Sequence, residues 1–76
     1  MMIRFYKCLL KNGVNYITKD SECWGHSAKP YQIQHGFWNS KGKQYDMRLL
    51  SDLFPDGLSD VNEMLSNEEK EHEFKK

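Results

Sequence analysis

The sequence predicts an α+β fold, a small antiparallel sheet of two β-hairpins with a C-terminal helix packed on one face. Three observations predict it. Residues 31–49 alternate apolar and polar side chains on either side of a Ser-Lys-Gly turn, the mark of half-buried antiparallel strands. Residues 5–18 show a similar alternation around Lys11-Asn12-Gly13. Residues 58–65 abandon that period, and Leu58, Val61, Met64 and Leu65 recur at helical steps of three and four.

The first hairpin is expected over 2–18. A loop of Lys11-Asn12-Gly13 pairs Leu10 with Val14, Cys8 with Tyr16 and Tyr6 with Thr18, which gives one mostly apolar face. Ile3, Phe5 and Leu9 fall on the other side, so the first strand is expected to be central and covered twice. Residues 19–30, "KDSECWGHSAKP", have little periodicity and read as a long loop of the kind that often carries function.

The second hairpin is expected over 31–49. A Ser40-Lys41-Gly42 loop pairs Phe37 with Tyr45, His35 with Met47 and Ile33 with Leu49. It sets Trp38 opposite Gln44 and Gln34 opposite Arg48 on the other face, with Gly42 supplying the left-handed residue such loops require. "LLSDLFPDG" then reads as a short helical turn stopped by Pro55 and Gly57. Ser59 is a candidate cap for a helix near 59–72. Residues 1–65 form the expected domain, and 66–76 an acidic, partly disordered tail. The alternative architecture is a small β-barrel with a peripheral helix.

A chain of 76 residues and 9.0 kDa holds one domain with one thin core. Surface scaling expects about 4,900 Å² of folded surface and a stability of roughly 4–11 kcal/mol. Such a core leaves little surplus for a strained catalytic cleft, and favours a binding module over an enzyme. Arg4 and Lys7 interrupt the N-terminal apolar run, so neither a signal peptide nor a membrane span is expected there. Two cysteines without an export signal fit a reduced, cytoplasmic setting, and a Cys8–Cys23 disulfide is expected only in a secreted context. Nine lysines against two arginines, with a single alanine, are the shadow of an AT-rich gene of the kind common in phages and mobile elements.

The net charge of zero conceals an asymmetry. Residues 1–48 carry eight Lys/Arg against three Asp/Glu, hence +5, and residues 49–76 carry three against eight, hence −5. The chain is a basic, aromatic body followed by an acidic segment.

No spacing places a nucleophile beside a base, the five glycines form no phosphate-cradling loop, and His35 with Arg48 would be the barest ribonuclease pair. Cys23 and His26, with Cys8 and His35, have the ligand chemistry of zinc but not its usual spacing. No cofactor, metal or catalytic residue is assigned. Two binding readings remain. Trp38, Gln34 and Arg48 on one face, with Lys41 and Lys43 at its tip, suit single-stranded nucleic acid by stacking and charge neutralisation. The same residues with Trp24 suit a protein interface, where Trp and Arg are the usual anchors. The second reading explains more of the chain. The expected function is a non-enzymatic module that modulates or inhibits a partner protein, such as a phage- or mobile-element-encoded inhibitor of a host enzyme. A homodimer closing an uncovered sheet face is the further expectation.

Overall fold

A computed structural model describes residues 2–34 and 37–74, with the backbone course alone for 72–74. The elements in chain order are α1 (Ile3–Lys11), β1 (Tyr16–Lys19), β2 (Cys23–His26), β3 (Tyr31–Gln34), β4 (Phe37–Asn39), β5 (Gln44–Asp46), a 3-10 turn (Arg48–Leu53), β6 (Gly57–Asp60) and α2 (Val61–Phe74). The strands form a four-stranded sheet in the order β5-β2-β1-β6 and a separate β3-β4 ribbon. All pairings are antiparallel. The α+β class and the C-terminal helix are as the sequence predicts. The sheet does not close into a barrel, because β5 and β6 are its two edges.

The N-terminal segment corrects the first expected hairpin, since residues 3–11 are helix and not strand. Met2, Phe5, Tyr6 and Leu9 follow the i, i+3, i+4, i+7 steps of one helical face and all reach the core. Arg4, Lys7, Cys8 and Lys11 line the exposed side. The Asn-Gly pair that suggested a hairpin turn ends this helix instead. Gly13 has φ +89°, its N–H donates to Leu10 O (3.1 Å), and Val14 N–H donates to Leu9 O (2.8 Å). That pair of bonds is a Schellman cap, with Val14 and Leu9 as its apolar contact. Glycine answers either need, so the dipeptide could not decide between them.

Two β-hairpins are present, at 16–26 and 31–39, shifted from the expected 2–18 and 31–49. The first lies mostly in the segment expected to be a loop. Asp20-Ser21-Glu22 turns β1 into β2, pairing Thr18 with Trp24 and Tyr16 with His26. In the second, β4 pairs back on β3, with Trp38 opposite Gln32 and Phe37 opposite Gln34. β5 leaves this ribbon and joins the free edge of β2, so Gln44 faces His26, Tyr45 faces Gly25 and Asp46 faces Trp24. The expected pairs of Phe37 with Tyr45, Trp38 with Gln44 and Gln34 with Arg48 are therefore not formed. A two-residue alternation marks strand character but not the point where the chain reverses. His35 and Gly36, and with them the expected His35–Met47 pair, lie outside the described residues.

Gly42 does not take the left-handed conformation expected of it; among the described residues only Gly13 and Gly57 do. Its lack of a side chain serves close approach, because a Cβ there would collide with Ser27 Oγ and Ala28. The short helical turn before Pro55 is present as the 3-10 turn. The cap of α2 is Asp60 and not Ser59, its Oδ1 accepting from Asn62 N–H at 2.9 Å and Glu63 N–H at 3.4 Å.

The register divides the sheet into two faces. Ile17, Cys23 and Tyr45 point to the side covered by α1, α2 and the 3-10 turn, where Tyr6, Leu9, Val14, Met47, Phe54 and Val61 complete the core. Phe5 packs on Phe54 with ring centroids 5.9 Å apart. Tyr16, Thr18, Trp24, His26, Gln44, Asp46, Leu58 and Asp60 share the opposite face. β4 lies over part of that face. The molecule measures 44 × 21 × 20 Å, and its 5568 Å² of surface exceeds the roughly 4,900 Å² expected for its mass.

Candidate functional site

Where β4 covers the sheet, a cavity of about 120 Å³ remains. Its floor is Thr18, Trp24, His26 and Gln44; Trp38 of β4 covers it, with Phe37 at the exposed rim; Asp20, Ser21 and Glu22 of the β1–β2 turn form the lip. The two-residue period of β1 and β2 sends Thr18, Trp24 and His26 to the same side. The register of β5 brings Gln44 beside His26.

His26 is the fixed point of this arrangement. It is 1% exposed. Its Nε2 lies 2.8 Å from Thr18 Oγ1 and its Nδ1 lies 3.1 Å from Ser40 Oγ. Hydroxyls donate or accept, so either neutral tautomer is fully satisfied. Burial pushes the imidazole pKa below its usual value, because desolvation penalises the charged form. The ring therefore ties the loop after β4 to the sheet. Ser40 is not among the residues lining the cavity, so the Ser40–His26 contact does not present a nucleophile there.

Arg48 closes the far side of Trp24. Its Nε donates to Asp46 Oδ1 at 3.0 Å, its Nη2 to Asp46 Oδ2 at 2.7 Å and its Nη1 to Glu22 Oε2 at 3.4 Å. The guanidinium carbon lies 5.5 Å from the centre of the Trp24 ring, within cation–π range. Hydrogen bonds from the Arg48 side chain, and then from its backbone N–H, hold the Asp46 carboxyl at about 2.

The six residues singled out from sequence separate into two groups. Trp24 and Trp38 meet at the cavity, with Arg48 behind Trp24. Trp38 is half-buried, and its Nε1 is enclosed without a hydrogen-bond partner among the described residues. Gln34 on β3 and Lys41 and Lys43 between β4 and β5 are exposed and contribute nothing to the lining. The cavity's other residues, Thr18, His26, Gln44, Phe37 and the Asp20–Glu22 turn, were missed. The signal for Thr18, His26 and the turn was present in "YITKDSECWGH", two short runs around a three-residue polar turn.

Cys23 and His26 are three apart on one strand and project to opposite faces, so a single ion cannot reach both. Cys23 is buried in the core, where desolvation raises its thiol pKa, and Cys8 is an exposed thiol on α1. His35, the fourth member of the zinc set considered, lies outside the described residues. Among the described residues no group of three or more His, Cys, Asp or Glu is placed to hold a metal. No helix among them is long and apolar enough to cross a membrane. Compared with family models, curated proteins and solved structures, the chain matches none.

Proposed function

We propose that the protein is a small non-enzymatic binding module that docks on a partner protein through the β3–β4 ribbon. The carrying observation is the exposure of that ribbon's apolar residues: Tyr31 is 48%, Ile33 62% and Phe37 58% exposed. A two-stranded ribbon is marginal in water without cover, and contiguous exposed apolar surface marks an interaction site. Leu49, Leu50 and Leu53 of the 3-10 turn add a second exposed apolar group. The non-enzymatic part is supported by His26, whose ring nitrogens are both engaged by hydroxyls in a structural tie. Modulation would come from occupying the partner's surface, and inhibition of a host enzyme is the form that the composition suggests.

Single-stranded nucleic acid has less support. Arg48 is engaged by two carboxylates, and the cavity between the tryptophans has an acidic lip.

A photo-crosslinking residue at position 33, in protein expressed in its native cell, tests the module reading. A discrete adduct with one protein is expected, and Phe37→Asp in the same chain should abolish it while the melting curve is unchanged. A folded protein that gives no adduct would overturn the reading. Binding of single strands that weakens steeply between about 50 and 200 mM salt would replace it with the nucleic-acid alternative.

A further inference from the structure

The cavity has a chemistry of its own, and it shares only Phe37 with the exposed apolar residues of the ribbon. Three aromatic residues line it, Trp24, Phe37 and Trp38, together with Asp20 and Glu22. Among the described residues no lysine or arginine lines it. The nearby charges are three carboxylates, Asp20, Glu22 and Asp46, against the one guanidinium of Arg48 on the other side of Trp24. We infer that this cavity is a binding site for a small organic cation, an alkylammonium group held by aromatic faces and an acidic lip.

The physics favours that class over the other candidates. Aromatic faces carry negative electrostatic potential and attract a cation that is already poorly hydrated. Trp24 shows this within the molecule, since one side of its ring already holds the Arg48 guanidinium. An anion would meet two carboxylates, and the one nearby guanidinium, Arg48, is already engaged by Glu22 and Asp46. A metal ion would find only two carboxylates, and no group of three ligands is assembled among the described residues. The cavity of about 120 Å³ has room for several waters and so for a methylated ammonium head. His26 in the floor brings no competing charge, because burial keeps its ring neutral.

The ammonium could belong to a free small amine or to a methylated lysine of the docked protein. Only the second source rests on the module reading. Tryptophan fluorescence titrations separate the cases, using choline, its uncharged isostere 3,3-dimethylbutan-1-ol, and a short peptide with either trimethyllysine or lysine. Saturable binding of choline or of the trimethyllysine peptide is expected, with the isostere weaker by about tenfold or more. Phe37→Ala and Glu22→Gln should each weaken the cation several-fold, and Phe37, at the exposed rim, can be removed without unfolding the domain. Choline binding without peptide binding identifies a free amine and keeps the site. Peptide binding well above choline identifies a partner side chain. An isostere that binds as well as choline, or no binding of either cation, overturns the inference. Glu22→Gln touches the cavity and none of the ribbon's exposed apolar residues, and the crosslink at position 33 reads the ribbon, so either proposal can fail alone.

Discussion

On the helix side of the sheet, Ile17 and Val61 are fully buried among apolar neighbours; on the ribbon side, His26 and Thr18 are buried almost as completely by polar partners. The first face is held by a non-directional force proportional to area, and it tolerates small shifts of α1 and α2. The second is held by two hydrogen bonds of fixed length and direction, and the one between His26 and Ser40 loses its value if the loop after β4 moves by an ångström. The difference teaches where this small protein places stability and where it places a site. A cavity lined by aromatic and polar groups survives beside the polar tie.

The comparison is broken most directly at its centre. Ile17 lies at 0% exposure in the core, so Ile17→Ala should cost about 3 kcal/mol in urea unfolding, the transfer and cavity terms together. Against a total of roughly 4–11 kcal/mol this brings the domain near the edge of folding. A loss under about 1 kcal/mol would mean that the helix side is not the principal source of stability.

On the ribbon side the corresponding change is Thr18→Val, which keeps shape and removes the hydroxyl. The Nε2 of His26 then loses its partner at a site Thr18 leaves only 2% exposed. A cost of about 2 kcal/mol is expected, because the unpaired buried nitrogen adds its desolvation to the lost bond. The loss should be smaller in a His26→Leu background, where no nitrogen is left unpaired. Equal costs in both backgrounds would show that the Thr18 hydroxyl acts without the imidazole.

How much of this was legible in the sequence follows from the same contrast. The helix-side signals in α2 could be read because Val61, Met64 and Leu65 keep one period over several residues. The turn ahead of Pro55 and Gly57 could be read for the same local reason. The N-terminal helix could not, because Phe5 and Leu9 satisfy both a strand and a helix pattern and Gly13 suits both a hairpin and a helix cap. The polar stripe Arg4, Lys7, Lys11 was the available tie-breaker. The cavity was less legible still. Trp24 and Trp38 were identified as candidates, yet their neighbours Thr18, His26 and Gln44 come from three strands whose order in the sheet no local pattern encodes. Arg48 was read as a free anchor because its partners Asp46 and Glu22 are two and twenty-six residues away, and only the first is visible locally.

The mildest perturbation sharpens the comparison without a mutation on either face. His26 has its pKa lowered by burial, below the usual value near 6.5. Between the two values the unfolded chain binds a proton that the folded one refuses, so stability falls as pH falls below about 6.5. The slope from one such group is at most about 1.4 kcal/mol per pH unit. Urea midpoints measured from pH 7.5 to 5 should therefore decline, and His26→Gln, which keeps hydrogen-bonding capacity without titrating, should reduce the decline. On the helix side the raised values of Tyr6 and Cys23 belong to alkaline pH. Acid should therefore loosen the ribbon side first, with amide exchange accelerating at Ser40 and in β4 before it does at Ile17. Exchange that accelerates at Ile17 and β4 together would show one cooperative unit, with the two faces differing in chemistry and not in separable stability.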